Sequence, residues 1–403
     1  MRNHNHHNRY ILWLTIFLSS LGFSLYSVIF SLYLYELGAS FTQITLLVAI
    51  PNLVSLLFAR FWGILSDELH AYKLFVTWSY LVSAIFVFFY GLTKNITLIL
   101  TLFILATILS SPGSPALNAI VTTVGEKKSR GRIVGVFISS DTMGYAIGSF
   151  LSAYLIVTIG VSKLFPLSAV IIALSAIFFI LFYHEERDHR LLQKDVIMMA
   201  LKKTFSPREF YADRELIPLI SAIAVFNIGT TAFFEIFVFK YYIVIGRNLS
   251  LYAIVSGISS VLSAIAPPIY GFIGDKIGLD NLLLIMMFIR IIYMLSLALI
   301  WDPLILTILW ILPIWAGLYL SSITLATNIL GDEKAGRAQG TLSMTTQLSN
   351  MIGALAAGYL ADKLGARRNI SRAMPIYLGS IILCIIGLII FASYLKKKRS
   401  SNE

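Results

Sequence analysis

Three ionisable residues lie deep inside long apolar stretches of the sequence, where charged side chains are rare. Asp141, Glu235 and Arg290 each stand nine to eleven residues from the nearer polar end of their stretch. At about 1.5 Å per helical residue that distance is roughly 13 Å or more, close to half of a hydrocarbon core about 30 Å thick. A charge at that depth is costly, so such residues are candidates for binding a charged substrate or carrying a proton.

Glu235 has no suitable partner on its own helix. Lys240 follows it by five residues, about 140° around a helix, so the two charges are poorly placed to neutralise each other. A carboxyl that takes up a proton from one compartment and releases it to the other is the simplest coupling device. We therefore predict that Glu235 carries a coupling proton. Lys240 lies near the end of its apolar segment, and we expect its long aliphatic side chain to place the ammonium at the membrane interface.

Asp141 and Arg290 each have two interpretations. Asp141 either selects substrate charge or binds a second proton, or it holds its own helix through a buried pair or hydrogen bond. Arg290 is either structural or part of a binding site. An Arg290 that faces a cavity would favour an anionic substrate, whereas a cavity with only Asp141 and Glu235 would favour a cation.

Small polar residues recur on one face of two apolar stretches. Ser24 and Ser27 follow helical spacing in the first stretch, and Asn227, Thr231 and Glu235 recur every four residues in the seventh. These stripes either face a common polar space or form hydrogen bonds between packed helices.

The composition is that of a membrane protein. Hydrophobic residues make up 58% and charged residues 13% of the chain, and the mean hydropathy is +0.83. A soluble domain could not present that much apolar surface to water, and twelve apolar runs are long enough to cross a bilayer. The net charge of +11 does not indicate a nucleic-acid partner, because the basic residues concentrate in alternate loops, as orientation signals do. We therefore predict a protein of the cell membrane, embedded in the lipid bilayer, with both termini in the cytoplasm.

One loop departs from this distribution of charge. The twelve-span count places it outside the cell, yet it holds four basic residues: Lys363, Arg367, Arg368 and Arg372.

The chain contains an internal repeat. The stretch from Gly125 to Gly160 returns about 205 residues later, so that Arg132 falls on Arg337. A second pair of similar segments, offset by about 208 residues, aligns Gly63 with Gly271 and Asp67 with Asp275. The repeat predicts two pseudo-symmetric six-helix bundles, residues 1–183 and 215–403, joined by a cytoplasmic linker at 184–214. The fold class is therefore an all-α membrane protein of twelve transmembrane helices.

The sequence holds no motif of a catalytic or nucleotide-binding domain. We find no Walker loop, dinucleotide fingerprint or nucleophile elbow, so energy should come from a gradient rather than from ATP. The start, MRNHNHHN, holds three of the six histidines, and a mobile polar tail explains it better than a metal site. Cys384 is the single cysteine, which excludes a disulfide framework. We expect no enzymatic activity, no cofactor and no metal.

Two six-span halves with a G-x-x-x-D loop after the second span of each half resemble the major facilitator superfamily of secondary transporters. The family's loop continues as D-[RK]-x-G, and the second copy matches it at Gly271, Asp275, Lys276 and Gly278. The first copy keeps Gly63 and Asp67 but has Glu68 and His70 at the basic and glycine positions.

The fifth span resembles a glycine motif of the family's antiporters. Gly135, Gly144 and Gly148 match its first three glycines, whereas its proline and last glycine are absent. The resemblance favours export by antiport over uptake. Glycines at these spacings also let two helices approach closely.

The resemblance implies that the halves rock about a cavity lined by spans 1, 4, 7 and 10. Those spans supply polar and aromatic side chains suited to a ring-bearing substrate, although aromatic residues at helical spacing also pack helices together. Arg290 lies on a span that is usually peripheral in the family, which favours a structural role. The candidate lining residues are Ser24, Tyr26, Ser27, Phe30, Asn118, Asn227, Phe233, Glu235, Trp310, Trp315, Tyr319 and Asn328.

The resemblance also implies a cytoplasmic gate. Asp67 would lie against the start of span 11 at Arg337, and Asp275 against the start of span 5 at Arg132. A helix start attracts a carboxylate because its amides carry partial positive charge.

These observations predict a proton-coupled secondary transporter of a small organic molecule, working as a monomer by alternating access, with efflux favoured. The alternative is an uptake symporter or uniporter for a sugar, an organic anion or a peptide. A non-transporting sensor or a membrane-embedded enzyme is a remote third possibility.

Overall fold

A computed structural model of the chain describes residues 2–123, 130–185, 194–204, 213–331 and 334–400, and almost all of them are helical. The side chains of the histidine-rich start and of Arg132 lie outside the described part. The helices are α1 (Arg2–Leu37), α2 (Phe41–Leu69), α3 (Tyr72–Tyr90), α4 (Ile96–Ser110), α5 (Gly113–Thr123), α6 (Arg130–Thr158), α7 (Val161–Phe182), α8 (Lys194–Thr204), α9 (Ile217–Val244), α10 (Leu249–Ile277), α11 (Leu279–Leu299), α12 (Pro303–Trp310), α13 (Ile314–Leu330), α14 (Ala335–Lys363) and α15 (Met374–Ser400).

The described helices account for the predicted spans. Nine of them are long and apolar enough to cross a membrane, with α12 and α13 together counted as one. The pair α4 and α5 adds a span bent by 41° at the break around Pro112. The remaining two, α6 and α14, are less apolar, but at 29 residues each they exceed the length that about 30 Å of hydrocarbon requires. The described helices are thus consistent with the predicted count of twelve spans, which stays a prediction.

The loop after the second span of each half needs a left-handed backbone. Gly278 adopts a φ of +85° there, a conformation that costs glycine little. His70, its counterpart in the first half, adopts a φ of 52°. The first copy of the loop therefore keeps the conformation although it has lost the glycine.

The chain divides into two compact units. The first comprises Met1–Gly38, Val54–Ser206 and Leu249–Val261, and the second comprises Ala39–Leu53, Pro207–Asn248 and Leu262–Glu403. In the first unit α1 packs mainly between α6 and α7, and in the second α9 packs between α14 and α15. The domain boundaries inferred from the repeat stay a prediction.

Glycines allow the central helix of each unit to approach its neighbour closely. A Cβ at Gly148 of α6 would overlap Ser24 and the carbonyl oxygen of Leu21 on α1. Its repeat counterpart, Gly353 of α14, lies against the carbonyl oxygen of Ile228 and the side chain of Thr231 on α9. Of the three glycines of the antiporter-like pattern, Gly144 and Gly148 therefore have a packing role, whereas a Cβ at Gly135 would meet no described atom within 4 Å.

This packing predicts opposite effects for two alanine substitutions on one helix. In Gly353→Ala the new Cβ would lie 2.6 Å from the Ile228 carbonyl oxygen, and we expect a loss of about 1 to 3 kcal/mol. In Gly340→Ala the Cβ meets no described atom within 4 Å, so the higher helix propensity of alanine should leave stability unchanged or raise it by up to about 1 kcal/mol. Thermal unfolding of both variants in detergent checks this. Equal losses would show that the close contact is unimportant.

Helix α8 packs on the end of α2 in the first unit. Its Val196 and Ile197 contact the buried cluster that contains Leu65 and Leu69. Lys203 adds an ion pair with Glu68 at 3.7 Å. These contacts attach this part of the linker to the first unit.

Candidate binding cavity

The second unit contains a cavity of about 290 Å³ between α9, α11, α13 and α14, with Asn52 of α2 at its wall. This volume is near the lower end for small-molecule sites. Amide side chains line it from three helices, namely Asn52, Asn227, Gln339, Gln347 and Asn350. Apolar side chains such as Leu283 and Met287 complete the wall. The cavity therefore offers hydrogen bonds and an apolar surface together.

The polar stripe of α9 contributes to this cavity in two ways. Asn227 lines it directly. Thr231, one turn further, donates its hydroxyl to Oδ1 of Asn350 at 2.9 Å and so positions an amide that also lines the cavity. Both predicted uses of the stripe, a polar space and hydrogen bonds between helices, therefore occur on one helix.

Arg290 of α11 is also in the cavity wall, although the family resemblance favours a structural role for it. Its guanidinium carbon lies 4.0 Å from the centre of the Phe234 ring and 5.4 Å from that of Tyr293, and such stacking holds the guanidinium plane in place. Its Nε is buried without a hydrogen-bond partner, and no carboxylate lies within 4.0 Å of Arg290 in the described part of the chain. The sequence identifies Arg290 as a candidate binding residue but not which way it faces, because α11 is apolar on all sides.

Two of the predicted aromatic residues form an open wall of the cavity. Trp315 and Tyr319 are 49% and 62% exposed, and their ring centres lie 6.4 Å apart. Trp315 is oriented by its indole N–H, which donates to Ser263 at 3.1 Å. These rings can stack against an apolar or ring-bearing ligand.

The other predicted aromatic residues pack helices together. Tyr26 and Phe30 are buried in a cluster with Tyr90 and Phe165 of the first unit. In the second unit, Phe233 packs against Tyr377 and Trp310 against Phe234, Phe237 and Tyr241.

Glu235 lies on α9 eight residues beyond Asn227, about 12 Å further along the helix axis, and does not line this cavity. Its side chain is partly exposed. Within the described residues, no hydrogen bond or ion pair holds its carboxylate. As predicted, Lys240 does not pair with Glu235, because its ammonium binds backbone carbonyls elsewhere in the second unit.

Lys240 is fully buried in the second unit, where its ammonium binds the protein instead of extending into solvent. Its ammonium donates to three carbonyl oxygens at the end of α11, those of Leu297, Ala298 and Ile300, at 2.7, 2.7 and 2.8 Å. It also lies 4.4 Å from the centre of the Trp301 ring. A helix end has unsatisfied carbonyls and partial negative charge, which a cation stabilises. Lys240 is the C-terminal cap of α11.

The remaining candidates of the two polar stripes and the neighbouring spans are spread over both units. Asp141 is exposed on α6, and Ser20 donates to its backbone carbonyl at 2.8 Å. Ser24 is buried against Gly148, whereas Ser27 and Asn118 are exposed. Asn328 lines a different pocket, beside Arg214 and Lys397 at one end of the second unit.

Comparison with known proteins identifies the family. The model of the Major Facilitator Superfamily matches residues 12–354, which is most of the chain. The chain belongs to this superfamily. The prediction of an all-α membrane fold in this superfamily is confirmed.

Individual relatives agree with the family match. The multidrug resistance protein MdtG of Yersinia enterocolitica is 26% identical over 89% of this chain and 88% of its own length. A homologue of the multidrug efflux pump PmrA from Lactococcus lactis is 26% identical over 97% of this chain and 96% of its own. A solved bacterial homologue of the human lysosomal transporter Spinster shares the fold, with a TM-score of 0.75 at 15% identity, covering 96% of both chains.

Membership makes the chain a transporter rather than an enzyme. Members of the superfamily bind small-molecule substrates and work as monomers in the plasma membrane. The cavity is therefore best understood as a site for a small molecule.

The superfamily's loop residues make contacts within their own units. Asp67 accepts a hydrogen bond from the hydroxyl of Tyr72 at 2.8 Å, and Arg337 pairs with Asp213 at 3.0 Å. Asp275 is exposed, and the ammonium of Lys276 lies 4.3 Å from the centre of the Phe272 ring. A Cβ at Gly63 would meet no described atom within 4 Å, and one at Gly271 would lie 3.9 Å from the side chain of Leu320. The cytoplasmic gate stays a prediction.

A carboxylate missed by sequence reasoning holds the start of α2 in the second unit. Asp362 of α14 accepts hydrogen bonds from the backbone N–H groups of Phe41 and Thr42, each at 2.8 Å, and from the Thr42 hydroxyl at 2.6 Å. Ser40 and Gln43 form a capping box that satisfies the next amide. Every early N–H of the helix thus has an acceptor.

The basic loop that departs from the predicted charge distribution is part of the same arrangement. Arg367 donates to the backbone carbonyl of Ala39, just before α2. At least one basic residue of this loop therefore stabilises the fold. Its positive charge is then weaker evidence that the loop lies in the cytoplasm. The unusual charge was the one sequence signal that could have drawn attention to Asp362.

We predict that Asp362→Asn loosens the first turn of α2. An amide has one acceptor oxygen and no charge, so it cannot reproduce both backbone contacts, and we expect a local loss of about 1 to 2 kcal/mol. Hydrogen exchange at Phe41 and Thr42 should then become faster. Asp302→Asn is the matched control, because Asp302 caps α12 with a single bond to Ile305 that asparagine can also accept. Unchanged exchange in Asp362→Asn would contradict the assigned role.

Proposed function

We propose that this chain is a proton-coupled secondary transporter that exports a small organic molecule, with both termini in the cytoplasm. The observation that carries the proposal is Glu235, a carboxylate without a described partner on the helix that lines the cavity through Asn227. In a membrane an unpaired carboxyl is stable only when it is protonated or hydrated, so it suits proton loading and release. Export is supported by two relatives, one named a multidrug resistance protein and the other a homologue of a multidrug efflux pump.

Helix α9 provides the physical connection between proton and substrate. Asn227 touches the cavity, Thr231 holds Asn350 of its wall, and Glu235 follows one turn later. Filling the cavity and protonating Glu235 therefore act on the same helix. Such coupling is reciprocal: in antiport each event weakens the other, and in symport each strengthens the other.

Arg290 favours a second candidate, uptake of an organic anion by symport with protons. An anion bound at Arg290 would add negative charge to the helix bundle that contains Glu235. Protonation of Glu235 would relieve the repulsion between the two groups, so anion and proton would bind best together.

The pH dependence of substrate binding separates the two candidates. We suggest three aromatic probes that differ mainly in charge: naphthalenesulfonate, neutral naphthalenesulfonamide and naphthylmethyl-trimethylammonium. Antiport predicts that the affinity for the bound probe rises with pH, because protons and substrate compete, whereas symport predicts that it falls. An affinity independent of pH, together with an unchanged affinity in Glu235→Gln, would contradict proton coupling through this residue.

A further inference from the structure

The cavity of the second unit has an unbalanced positive charge. Among the side chains that line it, Arg290 is the one cation, and no described Asp or Glu lies in its wall. A guanidinium taken out of water without a counter-ion is strongly disfavoured. Stacking on the Phe234 ring offsets part of this cost, but the ring accepts no hydrogen bond from the N–H groups of the guanidinium. Nε of Arg290 has no hydrogen-bond partner in the described structure. The site lacks an acceptor with negative charge.

The neighbouring polar groups are also suited to an anion. Asn227 and Asn350 line the cavity with amide side chains, and Asn350 uses its carbonyl oxygen for Thr231, so its N–H donors point elsewhere. Ser343 adds a hydroxyl group, whereas the hydroxyl of Thr230 donates to the backbone carbonyl of Asn227 at 3.1 Å. Together with the guanidinium fork, these donors fit a group with several acceptor oxygens, such as a carboxylate, a sulfonate or a phosphonate.

The rest of the wall fits an apolar body attached to that group. Trp315 and Tyr319 are open to the cavity, and Leu283 and Met287 lie beside Arg290 in its lining. Aromatic and thioether side chains make favourable contacts with rings. A volume of about 290 Å³ limits the ligand to a small one.

We infer that the substrate is a small amphiphilic organic anion, whose acidic group binds Arg290 and whose apolar body lies against Trp315 and Tyr319. This inference rests on the proposed transport function and applies to either direction of transport. It narrows the proposed substrate from any small organic molecule to one that carries a negative charge.

The test is equilibrium binding of the three naphthalene probes to the full chain in nanodiscs, without any gradient. Wild-type protein should bind naphthalenesulfonate about tenfold or more tightly than the sulfonamide, as a charge-assisted bidentate contact implies, and should bind the trimethylammonium probe most weakly. Arg290→Gln should remove the preference for the sulfonate and leave sulfonamide binding within about twofold of wild type. Arg368→Gln is the matched control, since Arg368 is an exposed arginine of the same unit outside the cavity, and it should behave like wild type.

Arg290→Lys keeps the inference testable if the glutamine variant does not fold. It retains the charge and should retain a weaker preference for the sulfonate. Equal binding of all three probes by wild type, tightest binding of the cation, no binding of the sulfonate, or an undiminished sulfonate preference in Arg290→Gln would each overturn the inference. The binding assay uses no gradient, so it reports on the charge preference independently of proton coupling. A sulfonate preference in a protein that shows no proton coupling would contradict the proposed function alone. Proton coupling in a protein that shows no charge preference would contradict this inference alone.

Discussion

Glu235→Gln is expected to abolish accumulation of substrate against a gradient while exchange of substrate across the membrane remains measurable. Glutamine has nearly the shape of the protonated carboxyl but cannot release a proton, so the transport cycle loses its driving force and keeps its binding site. The cavity side chains, including Asn227 and Arg290, are untouched by the change. The measurement is uphill uptake and counterflow of the bound naphthalene probe in liposomes with an imposed pH gradient.

Glu215→Gln provides the control for this experiment. Glu215 is an exposed carboxylate just before α9 begins, so the substitution removes the same charge outside the span. It should accumulate the probe like wild type. Full uphill transport by Glu235→Gln, or an equal loss in both variants, would remove Glu235 from the coupling mechanism.

Lys240→Met is expected to cause a large loss of stability in the second unit. Methionine matches the length of the lysine stem but leaves three carbonyl oxygens of α11 without their donor. Each buried acceptor left unpaired is costly, and we expect a total loss of about 2 to 4 kcal/mol, since part of the site can admit water. Thermal unfolding in detergent or nanodiscs checks this.

The matched control for Lys240 is Lys363→Met, which removes a charge from an exposed position at the end of α14. It should change the unfolding midpoint little, because exposed charges contribute little to stability. Equal midpoints for Lys240→Met and wild type would show that the ammonium is not needed to cap α11.

Features that depend on local pattern could be predicted from the sequence. Runs of apolar residues placed the helices, and the repeat placed Gly148 and Gly353 at equivalent positions, where both now contact a central helix. The polar stripe of α9 followed from residue spacing along one helix, and there Asn227 lines the cavity and Thr231 binds Asn350.

Features that depend on distant contacts could not be predicted. Lys240 binds carbonyls 57 to 60 residues away, and Asp362 caps a helix start about 320 residues before it. Arg290 lies on a helix that is apolar on all sides, so no periodicity indicated which side faces the cavity. Tyr26 and Phe30 had the same spacing as cavity residues but pack against Tyr90 instead.

Proton flux driven by substrate is the most direct measurement of the central claim, which is that this chain couples substrate movement to protons. Liposomes loaded with a pH-sensitive dye and containing wild-type protein would receive the bound naphthalene probe on one side, with no initial pH gradient. We predict a change of internal pH that follows the probe, opposite to its movement in antiport and with it in symport, and absent in Glu235→Gln. Probe movement through the wild-type protein without any change of internal pH would contradict the account.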